Sequence, residues 1–361
     1  MRKQILLVCS AVFLLGTVTG QEEIKVLTQS ELDALKSQMP LEAETAYNEG
    51  IVAYQSKNYP LAVEKYTQAI NAYADFELAY FNRGLSHAAL KQGEQAIADF
   101  QKTNELNPAN HASLYEIGLI YSDKNDTENA LKYLGNAIKS NDQEIKYLYK
   151  RSLILFQQKE YDKALEDLNK IIKVDPSFAF AYNDRGSIYK EQSKLDDAIA
   201  DYKKAVTIDK TLKIAHNNLG TAYRKKGQYD LAIGAYNAAI ALDKDFYLAY
   251  NNRGYAKYEK GDYAGALADF DDVIRIKSDY AYAYNNKASV YLKQEKYNDA
   301  VKACDQAIKL NPEYGYAYYN RGIAYEMLRN DKQSCQDWSK AAELGIDAAG
   351  SYYSNNECYN F

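Results

Sequence analysis

Apolar residues along this chain recur at steps of three and four, in two blocks separated by a short polar break. Residues 213–246 show one full unit. His216, Leu219, Gly220 and Tyr223 share one stripe, and Lys226-Gly227-Gln228 interrupts it. A second stripe then runs through Tyr229, Ala232, Ile233, Tyr236, Ala239 and Ile240. The spacing predicts two short amphipathic helices joined by a tight turn, which together make an antiparallel helical hairpin. Small residues at Gly220 and Ala232 let the two backbones approach closely.

The pattern repeats every 34 residues, nine times without a gap. Gly50, Gly84, Gly118, Gly186, Gly220, Gly254 and Gly322 lie on one grid, with Ser152 and Ala288 in the two remaining places. Ala62, Ala96, Ala130, Ala164, Ala198, Ala232, Ala266 and Ala300 lie on another, closed by Ser334. Pro108, Pro176 and Pro312 share a place between units, where proline stops the second helix. The expected architecture is all-α, a stack of nine hairpins over residues 43–348. Residues 349–361 are expected to supply a helix that covers the last hairpin, whose apolar face water would otherwise meet.

Residues 21–42 lie outside the repeats. Thr28-Gln29-Ser30-Glu31 is a capping box, Leu32, Leu35 and Met39 form one apolar stripe, and Pro40 ends the segment. Ahead of it, Arg2 and Lys3 precede an apolar run from Ile5 to Leu15 and the small residues Val18-Thr19-Gly20. Residues 1–20 therefore read as a secretory signal cleaved near Gln21, and the expected location is secreted or periplasmic. Export implies an oxidising compartment. Cys335 and Cys358 are the expected disulfide, since a final helix should bring the second over the last repeat. Cys304 sits where other units carry Tyr, Phe, Leu or Trp and reads as an inert core thiol.

The net charge of −5 and the lack of a basic block argue against nucleic acid. His87, His111 and His216 fall in different units, and His216, in a large-aromatic place, is expected to pack in the core. No Cys/His spacing suits a metal, and no glycine-rich loop suits a phosphate. The Asp pairs at 196–197 and 271–272 read as solvent-facing. We expect no cofactor and no catalytic residue.

The sequence resembles the tetratricopeptide repeat family. The pattern Ala-Tyr-x-x-Arg-Gly recurs at Ala181 to Gly186, Ala249 to Gly254 and Ala317 to Gly322, with Ala-Tyr-Phe-Asn-Arg-Gly at Ala79 to Gly84. The resemblance implies a right-handed superhelical solenoid whose first helices line a concave groove. Its fifth places hold Tyr47, Phe81, Tyr115, Tyr149, Asn183, Asn217, Asn251, Asn285 and Tyr319, and Asn218, Asn252, Asn286 and Asn320 follow at the sixth. The amides could hold the N–H and C=O of an extended peptide, or simply help the helices pack. Tyr47, Phe81, Tyr115 and Tyr149 would form a second, apolar patch. A partner, residues 24–39, or a second copy would have to cover it. The Lys and Asn of the family's carboxylate clamp are missing. The expected function is an exported scaffold or adaptor that binds a protein or peptide. Association with an envelope complex, as an assembly or polysaccharide-export factor, is an alternative, and so is glycan stacking on the tyrosines.

Overall fold

A computed structural model of the protein describes residues 39–355 and 358. Residues 1–38, where the signal and the capping box were read, lie outside the described residues. Nineteen α-helices follow one another among the described residues, with no strand. The chain divides into two units, with the boundary between Ala181 and Tyr182.

The first unit holds four hairpins. They are α1 (Leu41–Gln55) with α2 (Tyr59–Ala72), α3 (Glu77–Ala89) with α4 (Gly93–Leu106), α5 (His111–Asp123) with α6 (Thr127–Ser140), and α7 (Ile145–Gln157) with α8 (Tyr161–Val174). The boundary falls within α9 (Ala179–Glu191). The second unit continues with α10 (Leu195–Ile208), then α11 (Lys213–Lys225) with α12 (Tyr229–Leu242), and α13 (Tyr247–Lys260) with α14 (Tyr263–Ile276). It ends with α15 (Ala281–Lys293) and α16 (Tyr297–Leu310), α17 (Gly315–Met327) and α18 (Asp331–Glu343), and α19 (Asp347–Asn355). Within each unit, every hairpin packs on the next.

Each hairpin turn places one residue in the left-handed region. Lys57, Lys91, Asn125, Lys159, Ser193, Gly227, Gly261, Glu295 and Arg329 have φ between 58° and 92°, all at the same place in the repeat. The turn between hairpins closes differently. The side chain of Asn107, Asn141, Asp175, Asp209, Asp243 or Asn311 accepts the N–H two residues on, which leaves the next place free for proline.

Two contacts between residues sixteen apart in sequence recur among the hairpins. The first joins a glycine to a large side chain: Gly50 to Tyr66, Gly84 to Phe100, Gly220 to Tyr236, Gly254 to Phe270 and Gly322 to Trp338. The second is an ion pair. Arg83–Asp99, Arg151–Asp167, Arg185–Asp201, Arg253–Asp269 and Arg321–Asp337 are all bidentate, with N···O distances of 2.6–2.9 Å. The guanidinium groups of Arg83, Arg185, Arg253 and Arg321 also lie over Tyr80, Tyr182, Tyr250 and Tyr318, at 5.2–5.5 Å. The first hairpin carries the pair reversed, as Glu49 and Lys65 at 2.6 Å. Where the arginine place holds Ile117, Leu219 or Lys287, the aspartate place holds Tyr133, Ala235 or Ala303. At this place of the repeat, a buried aspartate is present only where a guanidinium meets it.

The C-terminal end is covered. Tyr352 of α19 packs on Trp338 and Tyr319 with ring centroids 5.2 and 5.6 Å apart. A disulfide joins Cys335 to Cys358 across a Cα–Cα distance of 5.4 Å. The capping helix begins at Asp347. Cys304 is buried and unbonded, and burial pushes its thiol pKa up, so it stays neutral.

Candidate functional site

The groove asparagines bond to one another. Asn218 Nδ2 donates to Asn183 Oδ1 at 3.0 Å, and Asn252 to Asn217 at 3.0 Å. Asn286 donates to Asn251 and Asn320 to Asn285, each at 2.9 Å. Every bond spans 35 residues and links the first helix of one hairpin to that of the next. Asn320 reaches Ser289 as well, Asn285 donates to the Tyr314 hydroxyl, and Asn183 donates to Asp184. Packing is thus one role of the row.

The row is not uniformly accessible. Asn183, Asn251, Asn285, Asn286 and Asn320 are at most 7% exposed, whereas Asn217, Asn218 and Asn252 are half-buried. Each inter-repeat bond uses one amide hydrogen and one acceptor lone pair. An asparagine has two of each, so the half-buried amides keep capacity for a partner. Where contact with a partner is concerned, the sequence-derived set of eight narrows to three.

Those three sit in a larger cluster. Asn217, Thr221 and Arg224 occupy one face of α11 at steps of four and three. Asn252, Tyr255 and Glu259 lie along α13. Arg224 donates to Glu259 at 2.9 Å, and its guanidinium lies 4.7 Å from the Tyr255 ring centroid. Thr221 and the Tyr236 hydroxyl are 3.1 Å apart. The cluster presents half-buried amides and the exposed Glu259 carboxylate on adjacent hairpins, beside the buried Thr221, Arg224 and Tyr255. The sequence reading passed over Arg224 and Glu259. Their signal was the spacing: opposite charges 35 residues apart, the same step as Asn217 to Asn252.

The aromatic patch expected at the other end requires correction. Tyr47 and Phe81 are 0% and 1% exposed, so neither can meet a partner. Tyr47 packs on Tyr66 and Phe76, with centroids 5.7 and 4.7 Å apart, and its hydroxyl accepts from Asn82 Nδ2 at 2.9 Å. Phe81 packs 5.6 Å from Phe100. Tyr149 is buried against Phe178 and Phe180. Only Tyr115 is half-buried, beside Tyr147 and under the Lys146 ammonium, which lies 5.5 Å from both rings. Successive hairpins press together closely enough to swallow aromatics that a single amphipathic helix would expose.

His216 also departs from expectation. It is half-buried rather than core, with Nε2 3.1 Å from the Lys210 carbonyl in the preceding turn. An imidazole gains a polar partner there that a phenyl ring could not. Among the described residues, no three His, Cys, Asp or Glu side chains are placed to hold a metal ion. No described helix is long and apolar enough to cross a membrane.

Comparison with known proteins agrees with this architecture. Tetratricopeptide repeat models match residues 47–111, 111–144, 281–314 and 303–336. A TPR repeat model matches 153–193, 186–225, 220–261 and 254–295. These models describe the repeat itself and indicate no enzyme family. The small glutamine-rich tetratricopeptide repeat-containing protein 2 of Saccharomyces cerevisiae is 30% identical over 90 residues, which is 25% of this chain and 26% of that protein. The chain thus matches only about a quarter of that relative's length. A tetratricopeptide repeat protein from Parabacteroides merdae superposes with a TM-score of 0.54 at 20% identity, covering 70% of this chain and 97% of that one. The APC/C hetero-tetramer Cut9–Hcn1 gives a TM-score of 0.55 at 15% identity, with 91% and 80% covered. Both likenesses concern the fold.

Proposed function

The chain is a tetratricopeptide repeat protein, and from that premise we propose that it is an exported scaffold or adaptor that holds an extended segment of a partner protein. The segment lies across α11 and α13. Half-buried Asn217 and Asn252, bonded to each other with amide capacity left over, carry this reading. They can pair with backbone N–H and C=O groups at a fixed step without reading side chains. The exposed Glu259 carboxylate beside them, paired with Arg224, can meet a cationic side chain of the segment. Residues of both signs suit a mixed peptide better than a nucleic acid, and the net charge of −5 points the same way.

Export rests on the N-terminal sequence and is supported by the bond between Cys335 and Cys358, a type of link that persists in oxidising compartments. Fractionation of cells that make the full chain, followed by N-terminal sequencing of the product, tests it. A product beginning near Gln21 outside the cytoplasm is expected; an uncleaved cytoplasmic product would exclude it.

The groove reading is tested with a displayed library of random linear peptides. Peptides selected on the wild-type protein are expected to bind the Asn217→Ala and Asn252→Ala variants about tenfold more weakly, about 1.4 kcal/mol. Unchanged affinity in folded variants would end the proposal. Retention of a glycan array in place of peptides would replace the peptide with a sugar ligand.

A further inference from the structure

Helix α12 carries apolar side chains on two faces. One face, Ala232, Tyr236, Ala239 and Ile240, is buried as α12 packs on α11 and α13. The opposite face reads Leu231, Gly234, Ala235, Ala238, Ala241 and Leu242. Leu231 is 53% exposed and Leu242 42%. Gly234 and Ala241 are exposed too, and Ala235 and Ala238 are half-buried between the leucines. A Cβ on Gly234 would meet nothing within 4 Å. A helix that is apolar all round is normally a buried one.

The other eight hairpins serve as controls. The place of Leu242 is apolar in most of them, but over the remaining five places each of their second helices carries at least two charges. α8 has Lys163, Glu166, Asp167, Lys170 and Lys173 there, and α14 has Asp269, Asp272 and Arg275. α12 has none. The hairpin does not need these places to be apolar, so the stripe answers to something outside the stack.

The stripe also reads the same in both directions. Leu231, Ala235, Ala238 and Leu242 are spaced by four, three and four residues, which is the step of a helix-pairing seam. Two such helices set antiparallel about a two-fold axis place Leu231 of each against Leu242 of the other. The alanines meet at the centre, where their small size lets the helices approach closely. The charges at the ends agree with this direction. Asp230 is exposed at the start of α12, and Lys244 is exposed just past its end. Antiparallel pairing brings each Asp230 level with a Lys244 to within one residue's rise, about 1.5 Å. It also sets the positive end of each helix beside the negative end of the other.

We propose that this face of α12 is a self-association surface, on which a second copy of the chain docks through an antiparallel pair of α12 helices. The face points away from α11 and α13, which carry Asn217 and Asn252, so pairing needs none of the groove residues.

Sedimentation of the full chain over a range of concentrations tests this, beside a variant carrying Leu231→Asp and Ala238→Lys. The chain itself holds Asp197 and Asp299 at the first of these places, and Lys102, Lys170, Lys204 and Lys340 at the second, so the variant keeps the fold. The wild type is expected to form dimers that dissociate on dilution, and the variant to dissociate with a constant at least tenfold larger. A wild type that is monomeric at every concentration would overturn the proposal, and so would a dimer that the variant retains. Cross-linking reads the geometry without those charges. Chains carrying Leu231→Cys and chains carrying Leu242→Cys, mixed under mild oxidation, are expected to join as a mixed pair. Either chain alone is expected to join far less, because its two thiols lie about 16 Å apart along the axis, beyond the reach of a disulfide. Equal yields from single and mixed samples would exclude the antiparallel pair.

Discussion

Gly84 and Phe100 lie sixteen residues apart in sequence and against each other in space: a Cβ on Gly84 would stand 2.7 Å from Phe100 Cε1. The chain contains its own controls for this contact. Where the glycine place holds Ser152, the ring place holds Leu168, and where it holds Ala288, the ring place holds Cys304. Ala288 and Cys304 pack in one cluster. In these two hairpins a larger residue at the glycine place meets a smaller one than the usual ring.

Gly84→Ala should therefore destabilise by about 1–3 kcal/mol, the usual penalty for overpacking. Adding Phe100→Leu should return part of that loss, because the shorter side chain leaves room for the methyl group. Urea unfolding of the single and double variants measures it. Two losses that simply add would show that the two places are not coupled.

Removing one member of an ion pair should cost more than removing both. Asp167 keeps 3% of its side-chain surface and meets Arg151 bidentately. Arg151→Leu leaves that carboxylate buried alone and should cost about 3 kcal/mol. Arg151→Leu with Asp167→Ala, the pairing already present at Leu219 and Ala235, should recover most of it. Burial raises the Asp167 pKa, and the hydrogen bonds from Arg151 oppose that rise. Without Arg151 the folded-state value climbs further. A group raised in the folded state contributes stability below its unfolded pKa and loses it as pH rises. The single variant should thus look worst at neutral pH and improve toward pH 4, as read by thermal unfolding across that range.

Reduction should loosen the C-terminal cap. The bond from Cys335 to Cys358 closes a loop of 23 residues, worth about 3 kcal/mol in the chain-entropy picture. Trp338 is the single tryptophan of the chain and is fully buried under Tyr352. Cys358→Ser, or reductant, should shift its fluorescence to longer wavelength, with little change in helical circular dichroism. An unmoved emission maximum would mean that packing alone holds the cap.

Alkali should unfold the protein through its tyrosines. Burial holds the phenols of Tyr66, Tyr202 and Tyr314 far above their ordinary value of 10.0. The unfolded chain releases these protons near that value while the folded chain keeps them, so stability is complete below it and falls as pH rises past it. Tyrosinate absorbance should come in two steps: exposed rings first, then the buried ones together with loss of helicity.

The hairpins and their turns were legible because each rests on a short-range pattern. Apolar steps of three and four mark a helix whatever lies beyond it, and a repeated glycine marks a close approach. Accessibility was not legible. Asn217 and Asn285 hold the same place in their repeats, yet one is half-buried and the other 1% exposed. Tyr47 and Tyr115 divide the same way, the first enclosed by Tyr66 and Phe76. The bidentate pairs could have been read from sequence, since Arg and Asp occur together at a step of sixteen in five repeats.

The sequence by itself determined the unit, its length and the order in which hairpins follow, because helix formation and turn closure depend on neighbours a few residues away. Only the tertiary structure decided which amides remain open to a partner and which bond to each other. That outcome depends on how tightly one hairpin presses the next across 34 or 35 residues, and on the bulk and hydrogen bonds found there, which no single repeat specifies.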